Sequence, residues 1–254
     1  MEKISFTYEY LDSLFGELSE AGIAVLPVSR ARGLKIRNLS VRHDVDISLK
    51  SSIQLARWES NRNIYATYCL QLTSPFYNVL LKKNRDYIEE LVELGHEIGL
   101  HYDPTILTSP SSKTHNQEVT AQIEVLQDII GNPITTMSIH NPILNFPVIE
   151  IPELICTYDK KFLNSKMYIS DSSMKFRVPD PISRILETDL SVHLLLHPEY
   201  WNASSQTLRD IFKREEKAKI SEMREEYENY QGVINFSLAN RETLDLQFRK
   251  SLGE

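Results

Sequence analysis

An α/β fold of parallel strands and crossover helices is what this sequence predicts, on three observations. Short apolar runs rich in Val, Ile, Leu and Tyr alternate with segments whose apolar residues recur at helical spacing. No internal repeat, low-complexity tract or Gly/Ser- or Pro-rich linker interrupts that alternation. Three of the strand-like runs also end in carboxylate or imidazole groups: Arg42-His43-Asp44-Val45-Asp46, Gly95-His96-Glu97-Ile98-Gly99-Leu100-His101 and Leu194-Leu195-Leu196-His197-Pro198. Strand ends are where parallel α/β folds build their sites. A barrel fits the number of strand–helix units better than a doubly wound sheet does. The 254 residues suit a single domain over 1–254, long enough for a substantial core.

The elements follow in order. Residues 7–21 form an amphipathic helix with Tyr8, Leu11, Leu14, Phe15 and Leu18 on one face. A strand at 39–45 precedes a helix at 49–60, and 64–72, rich in Tyr, Thr and Ile, is strand-like. Asn84 is the expected cap of a helix at 85–94, which carries Ile88, Leu91 and Val92 on one face and stops at Gly95. The strand 97–102 then leads into a loop of Pro, Thr and Ser that holds His115. A helix at 117–130 ends at Gly131-Asn132-Pro133, and a strand at 135–140 follows that turn. Short strands are expected near Ile155 and at 167–170, and a buried strand at 191–196. A charged helix from Ser205 to Tyr230 and a late strand at 233–238 close the chain, packed on the barrel like the N-terminal helix.

Composition narrows the function. The net charge of −7 and the dispersed Lys and Arg residues exclude the concentrated basic face that nucleic acid or an anionic membrane needs. The two cysteines, Cys69 and Cys156, sit in apolar stretches and read as buried thiols of a reducing compartment. The N-terminus shows no long apolar signal region, and no apolar run reaches membrane-spanning length, so a cytoplasmic location is expected.

The strand ends supply the chemistry. Side chains alternate along a strand, so Arg42, Asp44 and Asp46 share one face and His43 takes the other. Two carboxylates at that spacing repel unless positive charge lies between them, from Arg42 or from a divalent cation. The plain alternative is Asp46 capping the next helix and Asp44 in a structural ion pair. His101, His140 and His197 end three separate strands, and His96 and His193 are expected to support structure. Neutral imidazole with carboxylate suits zinc or another first-row metal.

These motifs resemble those of the polysaccharide deacetylase family, the NodB-homology group of carbohydrate esterases. The first segment resembles the family's acidic Asp-x-Asp motif, and the second the approach to its metal-binding motif. Leu194-Leu195-Leu196-His197 resembles its last motif, and Tyr168-Ile169-Ser170-Asp171-Ser172-Ser173 stands where its fourth falls. The resemblance spans residues 39–201 in the family's order. It implies a distorted (β/α) barrel and metal-dependent removal of an N-acetyl group from an amino sugar. It also implies Asp44 as general base, Asp46 and His101 as metal ligands, and His197 as general acid. The family's second metal histidine falls four residues after the first, where this chain has Thr105, and His140 on the neighbouring strand is the expected replacement. Arg42, Tyr102, Asp171, Tyr200 and Trp201 are expected to contact substrate, the aromatic faces suiting sugar rings. The expected metal is zinc, and the expected partner is a glycan or a nucleotide- or lipid-linked amino sugar of surface polysaccharide biosynthesis. The rival readings are a related C–N hydrolase, a deformylase or amidase, and an inactive sugar-binding homologue.

Overall fold

A computed structural model describes residues 4–107, 112–142, 147–163, 166–204 and 206–253. The expectations placed on residues 1–3, on the loop at 108–111 and on Ser205 lie outside them. The chain divides into two compact units, Met1–Leu208 and Arg209–Glu254.

In the first unit α1 (Tyr8–Glu20), β1 (Ala24–Leu26), α2 (Val28–Ala31), β2 (Asn38–Val45), α3 (Leu49–Ser60) and β3 (Thr67–Leu70) lead to α4 (Lys82–Glu93) and β4 (Glu97–Tyr102). Then come α5 (Ser112–Ile130), β5 (Thr136–Ile139), β6 (Ile155–Cys156), α6 (Lys160–Leu163), β7 (Lys166–Ser170), α7 (Pro181–Leu186) and β8 (Ser191–Leu196). Every strand pairing is parallel, in the order β6-β5-β4-β3-β2-β8-β7. One edge of β2 is shared, Asn38–Ser40 pairing with β1 and Arg42–Val45 with β3. The sheet curls until its two outer strands approach. The Tyr158 ring just after β6 lies 6.3 Å from that of Tyr168 on β7, and Phe162 of α6 meets His193 of β8 edge-on at 5.3 Å. Among the described residues, side chains rather than strand pairing close this distorted (β/α) barrel.

β2 is buried along its whole length, as a central parallel strand covered on both faces should be. Its alternation sorts two environments. Leu39, Val41, His43 and Val45 face the helices, while Ser40, Arg42 and Asp44 face the barrel interior. On the helix side, Glu59 of α3 accepts from His43 Nε2 at 2.8 Å and from the Tyr68 hydroxyl at 2.7 Å, tying α3 to two strands. Breaking such a buried cluster leaves uncompensated polar groups, so it fixes the helix against the sheet.

The interior is polar and layered. At the bottom Glu97 accepts from the hydroxyls of Thr67 and Thr136. Above it Gly99 gives room, since a Cβ there would sit 2.9 Å from both Cys69 Sγ and the Thr136 carbonyl oxygen. Gly99→Ala is therefore expected to cost roughly 1–3 kcal/mol of stability, as overpacking against backbone does. Chemical denaturation checks this, and an unchanged midpoint would contradict it.

Several boundaries differ from expectation. The helix expected at 85–94 begins at Lys82, and Asn84 lies inside its first turn, donating to the Asn78 carbonyl at 2.8 Å rather than capping. His115 sits within α5 rather than in a loop, because that helix starts five residues earlier than its apolar period shows. β1, α2, α6 and α7 are too short for periodicity to reveal. In the second unit α8 (Leu208–Ala239) and α9 (Arg241–Ser251) are helical, which corrects the strand expected at 233–238. Val233-Ile234-Asn235-Phe236 has strand propensity, but Ile220, Met223, Tyr227, Tyr230 and Ile234 keep a spacing of three and four, so the helical period prevails. Cys69 and Cys156 are free and buried, and among the described residues no helix is long and apolar enough to cross a membrane.

Candidate functional site

The C-terminal ends of β2, β4, β5 and β8 bring Asp44, Asp46, His101, His140 and His197 together. Ser48, not Asp46, caps α3, accepting from the Ser51 N–H at 3.2 Å, so the capping alternative for Asp46 falls away.

Asp44 stands on a buried cation. The Arg42 guanidinium meets its two carboxylate oxygens at 3.1 Å each, through Nε and Nη2. Arg42 is itself held by the Thr157 hydroxyl, by Tyr158 Oη at 3.0 Å and by His193 Nε2 at 3.2 Å. His193 Nδ1 meets Ser40 Oγ at 3.0 Å, so this imidazole is neutral, donating to the serine and accepting from the arginine. Its pKa is pushed well down by burial and by Arg42. Burial alone would raise the Asp44 pKa, but Arg42 and then His101 outweigh it and hold the carboxyl below its usual range. Asp44 is thus ionised through the neutral range.

Ser138, on the same face of β5 as His140, links this carboxylate to the histidines. Its hydroxyl donates to Asp44 Oδ1 at 2.8 Å, and its single proton is thereby committed. The 2.6 Å contact with His101 must then run from Nδ1–H to Ser138 Oγ, which leaves the lone pair of His101 on Nε2. That lone pair points at His140 Nδ1, 3.0 Å away, and at Asp46 Oδ1, 3.1 Å away. His140 Nδ1 lies 3.2 Å from the same oxygen.

Asp46, His101 and His140 thus form a triangle of donor atoms suited to one cation. Ligands at about 2.0–2.1 Å from a tetrahedral zinc are separated by roughly 3.3 Å, close to what these three atoms show. Asp46 Oδ1 is also buried with no hydrogen bond aimed at it, the condition a cation relieves. Burial would raise the Asp46 pKa, but the two imidazoles hold it well below the carboxylate range, while Asp46 overcomes burial to raise that of His140. Asn141 Nδ2 lies 2.8 Å from His140 Nε2, so His140 presents its Nδ1 lone pair to a cation once that amide turns over. The residues present fit a divalent metal. Thr105 has no part in the triangle, its N–H and hydroxyl both meeting Asp103 Oδ1, at 2.9 and 2.7 Å.

His197 is oriented from behind. Asp171 Oδ1 meets its Nδ1 at 2.6 Å, and Asp171 Oδ2 accepts from the His197 backbone N–H and from Trp201 Nε1, each at 2.9 Å. Nε2 faces Asp46 Oδ2 at 3.8 Å. Burial disfavours the imidazolium, but Asp171 more than compensates and raises the His197 pKa to about 10. Nearby Glu199, buried beside His197, is pushed up to about 8 by burial, against the pull of His197.

The residues expected to touch substrate are placed differently. Arg42 and Asp171 are wholly buried beneath Asp44 and His197. Trp201 is spent on Asp171 and packs its ring on Phe6 at 4.9 Å. Tyr102 faces the helix layer, its hydroxyl 2.6 Å from His115 Nδ1, because alternation sends it opposite to His101. These four support the site or the core rather than line it. Tyr200 keeps a place beside the centre, its ring 5.1 Å from that of His197. Nothing in the motifs marks Ser138, although Thr136, Ser138 and His140 show the every-second-residue spacing of one strand face.

Asp171→Asn is expected to move the alkaline limb of any His197-dependent activity to lower pH, because the raised pKa rests on that carboxylate. The same pair stabilises the fold: with the native pKa near 10 and the ordinary value near 6.5, its contribution is full below about pH 6.5. It is lost as pH rises through about 10. Stability of the two proteins compared at pH 6 and pH 10 should therefore converge at the higher value, and a constant difference would contradict the assignment.

No family model matches the chain, and no curated protein does. Solved structures similar to it include a family 4 acetyl xylan esterase from Clostridium thermocellum, with 14% identity over 63% of this chain and 73% of that one, at a TM-score of 0.40. A chitin deacetylase from Colletotrichum lindemuthianum matches with 15% identity over 71% of this chain and 81% of its own, at 0.39. A CE4 family pseudoenzyme from Bacillus anthracis matches with 11% identity over 76% and 62%, at 0.42.

Proposed function

We propose that this protein is a metal-dependent hydrolase that removes the N-acetyl group from an amino sugar of a glycan. The observation that carries the reading is the Asp46–His101–His140 triangle, set between a buried ionised carboxylate and a protonated histidine. It joins the motif order to a site in which base, acid and cation donors stand in one place. A divalent metal bound there supplies Lewis-acid polarisation of the amide carbonyl and of water.

The chain's own residues do the proton work. Asp44, ionised and fixed by Arg42 and Ser138, takes a proton from the attacking water. His197, protonated at neutral pH and fixed by Asp171, donates from Nε2 to the leaving sugar amine as the C–N bond breaks. Acetate and the free amine result. Each group is held by a buried partner on a strand end, so little reorientation is needed in the reaction.

The test is acetate release from a chito-oligosaccharide by protein loaded with zinc, cobalt or nickel. Acetate formation that stops on chelation is expected. Formate or ammonia released from other C–N substrates, with no acetate, would move the chemistry to a different hydrolase. Glycan binding without turnover under any metal would make this a binding protein.

A further inference from the structure

A second site lies at the opposite end of the barrel. The first residues of β6, β7 and β8, Ile155, Lys166 and Ser191, line a cleft of about 880 Å³ together with the loop after α2 and the segment leading into β6. That volume is within the range of small-molecule sites, roughly 300–1,000 Å³. The cleft reaches Tyr158, whose hydroxyl holds Arg42 beneath Asp44, but none of Asp44, Asp46, His101, His140 and His197 lines it.

The lining combines apolar walls with three cations, Arg32, Lys160 and Lys166, and three carboxylates, Glu150, Glu153 and half-buried Asp159. Leu34 and Val148, 44% and 57% exposed, line the cleft together with Ile151, Leu154 and Phe162. At the mouth the exposed charges balance, Arg32 and Lys160 against Glu150 and Glu153. Deeper, the half-buried ammonium of Lys166 lies 5.0 Å over the Phe162 ring and donates only to neutral acceptors, Ala31 O and Asn38 Oδ1, each at 3.4 Å. Among the described residues no carboxylate pairs with it. We infer that this cleft binds an organic anion with an apolar body, its carboxylate-type head on Lys166 and its body along Leu34, Val148 and Phe162. Half-burial lowers the Lys166 pKa, the sign of a cation short of a counter-charge. A bound anion would supply that charge where water is scarce, and a charge-assisted hydrogen bond there is stronger than a neutral one.

Calorimetric titration with octanoate tests this, with inorganic phosphate as the anion lacking an apolar body. One saturable octanoate site is expected, with phosphate at least ten-fold weaker. Lys166→Gln should lose at least ten-fold in affinity. Val148→Asp, at an exposed position tolerant of change, should lose as much by placing a like charge on the wall. His101→Ala should leave binding unchanged, because the metal centre is not involved. No saturable octanoate binding, or an affinity equal to that of the native protein in either cleft variant, would overturn the inference. So would phosphate binding as tightly as octanoate, or octanoate binding lost in His101→Ala.

Discussion

Asp44→Asn is expected to lower acetate release by roughly 10²–10⁴-fold, the usual worth of a positioned general base. The substitution keeps the shape of the side chain and removes its charge. The Asp46, His101 and His140 donors stay in place, so metal content should hold near one ion per chain. Stability should fall as well, because Arg42 is left buried beside a neutral amide with Thr157, Tyr158 and His193 as its remaining partners. Breaking a buried pair costs about 3–5 kcal/mol. The activity measurement must therefore be made where denaturation curves show the variant folded. Full turnover in folded Asp44→Asn would remove this residue from the mechanism.

The second large effect is on the metal. His140→Ala should weaken zinc binding by more than about 100-fold, since losing even an outer partner of a ligand costs roughly 10–100-fold. Thr105→Ala should leave affinity unchanged, because Thr105 is occupied with Asp103. Competition against a chromophoric chelator separates the two variants. Equal affinity in native protein and His140→Ala would show that the third donor is some other group. Strong loss in Thr105→Ala would place the ligand where the motif order first puts it.

The barrel and the identity of its central histidines and carboxylates were legible because strands of five to eight residues carry a clear period. The face and the end of each such strand follow from it, which is why Asp44, Asp46, His101 and His197 converge. Depth along the barrel axis was not legible. Arg42 shares a face with Asp44, but nothing in the local sequence shows that it lies one layer below, held by residues 115 and 151 positions away. Asp171 and Trp201 likewise meet only through the parallel pairing of β7 with β8. Tyr102 is a different case. The alternation that places His101 inside places its neighbour outside, so its helix-side position was available from the sequence. The late helix was misread for an opposite reason, a local strand propensity that a longer helical period overrides.

Hydrolysis at this site requires that the Asp46–His101–His140 triangle hold a cation. Elemental mass spectrometry of the purified protein measures that directly. About one zinc or similar divalent ion per chain is predicted, lost in the His101→Ala variant. Essentially none, even after incubation with zinc, cobalt or nickel, would contradict the hydrolase reading and leave a glycan-binding protein on a deacetylase-like barrel.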